Sequence, residues 1–291
     1  MTDRNPTGSE TTGGDGRRRS GNSTLSANEA AREAGKLAGK GPSLQELASL
    51  ARGETVVAVN NLVAGYGNME ILHDFSLRVG TRQSLCLVGP NGAGKSTVLH
   101  SIYGFTRIVS GKIVVNGDDV TRLPPNEKLK NAGIAYILQD NSVFPNMTVE
   151  ENLLMGGFLM AHAHQAQEAA ERVFEKYPRL AERRTRLAAV LSGGERRLLE
   201  IARGIMMNPS VLLVDEPSIG LEPRFIEMVF QVLQELQHDA GKTIILVEQN
   251  AKKGLEFADI GYVLVSGSVA MAGSGADLLR NPDVARLFLG G

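Results

Sequence analysis

Gly89-Pro90-Asn91-Gly92-Ala93-Gly94-Lys95-Ser96 is the stretch on which the reading of the fold turns. It follows an apolar run over residues 84–88 and precedes an apolar-periodic segment over 98–103, so it joins a strand to a helix. Its glycines let successive backbone N–H groups turn inward around phosphate oxygens, and the start of the following helix adds the positive end of a dipole. In that pattern Lys95 reaches the β- and γ-phosphates, the Ser96 hydroxyl ligates Mg²⁺, and Thr97 continues the loop into the helix.

A second apolar run, Val211-Leu212-Leu213-Val214, ends in Asp215-Glu216. Carboxylates at that place predict one group for Mg²⁺, Asp215, directly or through water, and one general base aimed at the attacking water, Glu216. Further β-branched runs fall at 56–59, 112–115, 134–138, 243–247 and 261–265, with helical periodicity between some of them. Their alternation predicts an α/β fold, and the continuous apolar runs at 84–88, 211–214 and 243–247 read as buried parallel strands. Between about 144 and 207 the pattern changes, and within this stretch no strand signal follows Thr148. Ala166, Ala169, Ala170, Val173, Phe174 and Tyr177 recur at helical spacing up to Pro178. Leu198, Leu199, Ala202, Ile205 and Met206 share the face of a second helix, which starts after Gly194 and ends at Asn208-Pro209. This stretch predicts a helical insertion in an α/β core.

Residues 1–53 contain no aromatic residue, Val or Ile, and are rich in Gly, Ser, Thr and charge. They predict a mostly disordered extension ahead of a folded unit over 54–291, with weak helical potential at 27–37 and 43–50. Arg17-Arg18-Arg19 reads as part of a solvated tail. The rest of the chain can support a core, since 42% of all residues are hydrophobic. The formal net charge of -1 supplies no global basic field, which argues against a nucleic-acid partner. The lone cysteine, Cys86, lies in an apolar run and permits no disulfide framework. No apolar stretch is long enough to span a bilayer and none reads as a signal peptide, so a cytoplasmic chain is expected, reaching a membrane only through a partner.

Leu191-Ser192-Gly193-Gly194-Glu195, set between the phosphate loop and the acidic strand end, adds a resemblance: the chain resembles the ATPase subunits of ABC transporters over roughly 56–291. Ser192 is also a good helix N-cap by itself. The resemblance implies a phosphate-loop NTPase core, a RecA-like mixed sheet with an antiparallel β subdomain, plus an inserted α-helical subdomain. It implies ATP hydrolysis with Mg²⁺ at two sites shared by a pair of ATPase subunits, identical or paralogous. The Ser192 hydroxyl and the N–H groups of Gly193 and Gly194 would face the γ-phosphate held by the other subunit. Tyr66 stands where the family stacks an aromatic ring on adenine. Gln139 stands where the family has a Gln that contacts Mg²⁺ and the water and senses the permease. The loop from Ser218 to Glu222 matches a segment that crosses the dimer interface, with Glu222 in place of the usual Asp.

After the run at 243–247 the family usually has a His that donates to the γ-phosphate, whereas this chain has Gln249. A Gln amide still donates a hydrogen bond but carries no titrating charge. Gln249 within Glu-Gln-Asn is similar to the ATPases of branched-chain amino-acid importers and of related urea and amide importers, as are the segments 144–153 and 287–291. The resemblance therefore implies permease subunits as partners, a solute-binding protein acting indirectly, and a peripheral place on the cytoplasmic face of the inner membrane. Lipopolysaccharide-export ATPases are similar over 148–153, and a soluble ABC-type ATPase is a further alternative.

Overall fold

Two kinds of strand arise from two kinds of burial. In a computed structural model that describes residues 41–139 and 142–289, ten strands form: β1 (Thr55–Tyr66), β2 (Met69–Gly80), β3 (Ser84–Val88), β4 (Arg107–Val115), β5 (Asp118–Asp119), β6 (Ile134–Ile137), β7 (Val211–Asp215), β8 (Thr243–Val247), β9 (Ile260–Val265) and β10 (Ser268–Ser274). β3, β7, β8 and β9 are buried at every residue, as strands covered on both faces must be. They lie in a six-stranded sheet of order β10-β9-β3-β8-β7-β6, parallel from β9 through β6 and closed by antiparallel β10. The second sheet is antiparallel, of order β2-β1-β4-β5. One apolar cluster fills the space between the sheets, with Leu62, Phe75, Leu77 and Tyr262 wholly buried; the other covers the opposite face of the six-stranded sheet and runs into the helices.

The sequence reading did not include β2, β5 and β10. Register shifts interrupt the β1–β2 ladder, and Asn61 and Asp74 take positive φ, so the period-two pattern that marks a strand is broken there. β10 is built mainly from Ser, Ala and Gly and carries little hydrophobic signal.

Between β6 and β7 the described chain is helical: Val149–Gly156, Ala163–Lys176, Pro178–Ala181, a short 3-10 turn at Ala188–Val190, and Gly193–Gly204. Its single strand-like feature is an isolated bridge between Thr148 and Leu187. Pro178 does more than end a helix, because it is also the first residue of the next one, where its missing N–H costs nothing. The helix expected to run to Asn208-Pro209 stops at Gly204; Ile205 and Met206 pack beyond its end, with Met206 buried.

Within the stretch read as an extension, the helical potential expected at 43–50 is met by a helix. Helix Leu44–Leu50 starts in a capping box made by Ser43 and Glu46, and Leu47 is only 2% exposed, within the core between the sheets. The Gln83 side chain accepts from Arg52 N–H at 2.8 Å and donates to Leu50 C=O at 3.2 Å, which fixes the helix to the start of β3. One leucine and one capping box suffice to order this segment where average composition suggested otherwise. Residues 1–40, with the helical potential expected at 27–37, lie outside the described residues.

The helix that follows the phosphate loop, Lys95–Tyr103, is held at its C-terminal end by Lys128, which is fully buried and donates to Ile102 C=O at 2.7 Å. An ammonium there suits the negative end of the helix dipole. Burial nonetheless pushes its pKa down from 10.5 to about 8. Between those values the unfolded chain binds a proton that the folded chain has released, so this group's contribution to stability rises with pH across the window. The stability of the wild type relative to Lys128→Met, measured by urea unfolding, is expected to increase from pH 8 to pH 10.5; a constant difference would contradict this.

Candidate nucleotide site

The phosphate loop needs glycine at two places for different reasons. Gly94 caps the helix in the left-handed region, at φ 99°. At Gly89 a Cβ would lie 2.3 Å from Leu264 C=O, so the loop can pass β9 only without a side chain. Ala93 N–H donates to Pro90 C=O at 3.1 Å, and Gly267 N–H donates to Ala93 C=O at 2.9 Å, tying the loop to the turn between β9 and β10. Lys95 lies across the loop and donates to Gly89 C=O at 3.0 Å and Pro90 C=O at 3.1 Å. Burial lowers its pKa, while Glu216 and Asp215 act in the opposite direction.

Beside the loop is an open cleft of about 500 Å³, lined by Tyr66, Ile71, Asn91, Gly92, Gly94, Lys95, Ser96, Thr97, Glu216, Ile219 and Gln249. Most of the residues expected to touch nucleotide therefore converge on one space, with Tyr66 on the β1 end and Gln249 after β8. Ile71 joins the lining without a prior signal, and Ile219 comes from the Ser218–Glu222 loop. Gly89, Pro90 and Ala93 form the loop without lining the cleft, and Gln139 and Asp215 are bonded to residues that do.

The Ser96 hydroxyl donates to Asp215 at 3.1 Å, so two of the three expected Mg²⁺ ligands meet. Gln139 donates its amide to Glu216 at 3.1 Å. A hydroxyl, a carboxylate and an amide carbonyl are hard oxygen donors, the set that suits Mg²⁺ when substrate phosphates complete the shell. Among the described residues no group of three or more His, Cys, Asp and Glu gathers as a metal cage. Glu216 adopts φ 43°, a left-handed conformation that costs a non-glycine residue about 1–2 kcal/mol. Its N–H donates to Val247 C=O at 2.8 Å, which holds the strained residue across the gap between β7 and β8.

Two residues in this constellation escaped the sequence reading. Tyr136 on β6 donates its hydroxyl to the second oxygen of Asp215 at 2.7 Å, and burial drives its pKa far upward, so it remains a donor. It also joins an aromatic group with Tyr103, Phe105 and His100, and the His100 ring accepts or donates at the Tyr66 hydroxyl. Arg197, on helix Gly193–Gly204, is buried and donates to the backbone carbonyls of Leu138 at 2.7 Å, Asp215 at 3.1 Å and Pro217 at 3.1 Å. It also pairs with buried Glu200 at 2.7 Å. One guanidinium thus binds the ends of β6 and β7 to the helix that begins at Ser192. The opposite charges of Arg197 and Glu200, three apart beside the apolar face, were the available signal.

Ser192, Gly193 and Gly194 do not line the cleft of their own chain. Ser192 and Gly193 are exposed, and Ser192 forms a capping box in which its hydroxyl donates to Glu195 at 2.9 Å. Gly194 is buried, and a Cβ there would lie 2.1 Å from the Phe225 ring, so its glycine is required by packing inside this chain. Glu222 caps helix Pro223–His238 with its backbone alone; its carboxylate pairs instead with exposed Arg224 at 3.0 Å.

The chain belongs to the ABC transporter family, whose match covers residues 72–219, and it is an ABC-type ATPase. It is 42% identical over 226 residues to the high-affinity branched-chain amino acid transport ATP-binding protein BraG of Pseudomonas aeruginosa, covering 78% of this chain and 96% of that protein. It is 39% identical over 229 residues to a probable branched-chain amino acid transport ATP-binding protein, LivF, of Archaeoglobus fulgidus, covering 79% and 96%. The lipopolysaccharide export system ATP-binding protein LptB of Haemophilus influenzae is 31% identical over 238 residues, covering 81% and 98%. Among solved structures, the ADP conformation of MJ1267, an ATP-binding cassette of an ABC transporter, superposes with a TM-score of 0.72 at 28% identity, covering 82% of this chain and all of that one. No helix among the described residues is long and apolar enough to cross a membrane.

Proposed function

We propose that this chain hydrolyses ATP to energise import of branched-chain or other hydrophobic amino acids through a permease, from the cytoplasmic face of the inner membrane. The observation that carries the solute class is the 42% identity to BraG along 96% of that protein. The lower identity to LptB, 31%, places lipopolysaccharide export second.

Adenine would stack on Tyr66, and the β- and γ-phosphates would lie along Asn91–Thr97, with Lys95 exchanging its two loop carbonyls for phosphate oxygens. Ser96, Asp215 and Gln139 would hold Mg²⁺, which neutralises charge that develops on the β- and γ-oxygens. Glu216 takes the proton of the attacking water as its oxygen bonds to phosphorus in line with the departing ADP oxygen. Gln139 orients the Glu216 carboxylate, and Tyr136 with Ser96 orients that of Asp215. Gln249 donates its amide to the γ-phosphate, so turnover carries no histidine titration at this position. Ser192 and Gly193 of a second ATPase subunit, a paralogue or an identical copy, close the site over the γ-phosphate, and ATP favours the closed pair through its higher affinity for it. The helical insertion, joined to the catalytic strands by Arg197, passes this motion to the permease.

Affinity purification of the tagged chain from membranes, followed by reconstitution in vesicles, tests the reading. A hydrophobic permease should accompany it, and the vesicles should accumulate labelled leucine only when ATP is supplied on the ATPase side. Retrieval of a lipopolysaccharide-export complex, or of no membrane protein, would contradict it; uptake of urea or an amide without leucine would move the solute to that branch.

A further inference from the structure

Glu248 precedes Gln249 and is 2% exposed, yet it is not part of the chemistry described above. Its Oε1 accepts from the Ser218 hydroxyl at 2.7 Å and from Asn250 N–H at 2.9 Å. Its Oε2 is buried with no hydrogen-bond partner. Ser218, itself buried, opens the loop that runs to Glu222, and Ile219 in that loop lines the nucleotide cleft. Asn250 caps helix Ala251–Phe257 by accepting from Lys253 N–H at 3.1 Å. The surroundings are tight: a Cβ on Gly254 would meet Cys86 Sγ at 2.6 Å and Glu248 Cβ at 3.0 Å.

From this geometry we infer that Glu248 is a positioning residue that locks the Ser218–Glu222 loop to Gln249, so that the γ-phosphate contact and the subunit-interface loop move as one unit. The inference rests on the assignment of Gln249 to the γ-phosphate. A carboxylate buried with one oxygen unsatisfied costs stability, and a cost of that kind is retained where it fixes a geometry. The bond to Asn250 N–H, two residues on, fixes the carboxylate within its own segment, and the same oxygen accepts from Ser218, so that bond ties the Ser218–Glu222 loop to the backbone that carries Gln249. A Gln amide is more easily turned than an imidazole, since it has one more rotatable bond, so its backbone must be held firmly for it to aim.

The test measures ATP turnover in the assembled transporter for Ser218→Ala, Glu248→Ala, the double variant, Glu248→Gln and Gln249→Ala, with unfolding midpoints for each. Gln249→Ala should lower kcat, and Glu248→Ala should lower it by roughly ten- to hundredfold, the scale of a reacting group misplaced by about 1 Å, with little change in KM for ATP. Ser218→Ala should lower kcat as well, and the double variant should be no slower than Glu248→Ala, because both remove one bond. Glu248→Gln keeps an acceptor oxygen and should restore most of the lost turnover. Independent, multiplying losses in the double variant would overturn the lock, as would a Glu248→Gln variant as slow as Glu248→Ala. If Glu248→Ala fails to fold, Ser218→Ala and Glu248→Gln still decide. A Gln249→Ala variant with wild-type turnover would instead remove the γ-phosphate assignment, and the inference with it.

Discussion

Glu216→Gln is expected to lower ATP turnover by roughly 10²- to 10⁴-fold, the usual worth of a positioned general base, while ATP still binds. The amide has the shape of the carboxylate. It can still meet the Gln139 side chain, which lies 3.1 Å from Glu216, and it leaves the backbone bond to Val247 intact. What it lacks is an electron pair basic enough to take the proton of water. ATP would then favour the closed pair of subunits without being consumed. A pair that persists in ATP and separates in ADP is the expected result by size-exclusion chromatography. Phosphate release at the wild-type rate would remove Glu216 from the general-base role.

Arg197→Met is expected to destabilise the protein by about 3–5 kcal/mol, the cost of leaving one member of a buried ion pair without the other. The side chains of Arg197 and Glu200 are each 5% exposed, so water cannot replace the lost partner. The carbonyls of Leu138, Asp215 and Pro217 lose their donor in the same substitution. Urea unfolding gives the value. Arg197→Met with Glu200→Met should recover part of the loss, because the unpaired carboxylate is then gone. A single variant within 1 kcal/mol of wild type would show that the guanidinium does not join the Ser192 helix to the catalytic strands.

What the sequence made legible was what repeats a local rule. The phosphate loop has fixed spacing and a required strand–loop–helix context, and β3, β7 and β8 are unbroken apolar runs, so these elements stand where they were expected. Glu216 was marked by its place at the end of an apolar strand, whereas Tyr66 and Gln249 were placed by the family resemblance; all three line one cleft. Features set by three-dimensional packing were not legible. Helix Leu44–Leu50 falls where weak helical potential was expected, but its order rests on one buried leucine and its cap, which average composition does not register. β2 hides behind its bulges. Tyr136 and Glu248 bond to side chains 79 and 30 residues away in sequence, and Arg197 reaches carbonyls 18 to 59 residues away, with Glu200 three residues on as its one local mark. Gly194 looked like a phosphate contact, and its burial against Phe225 supplies a packing reason as well.

The proposed function rests above all on Ser192 serving a nucleotide bound by a different subunit, as the family resemblance implies; in its own chain Ser192 does not line the cleft. The measurement that tests it is ATP affinity of the isolated, dilute subunit beside turnover of the assembled transporter, for Ser192→Arg. The affinity of the isolated subunit should match wild type while turnover of the assembly is lost. A fall in the isolated subunit's own affinity, or undiminished turnover in the assembly, would contradict the shared site.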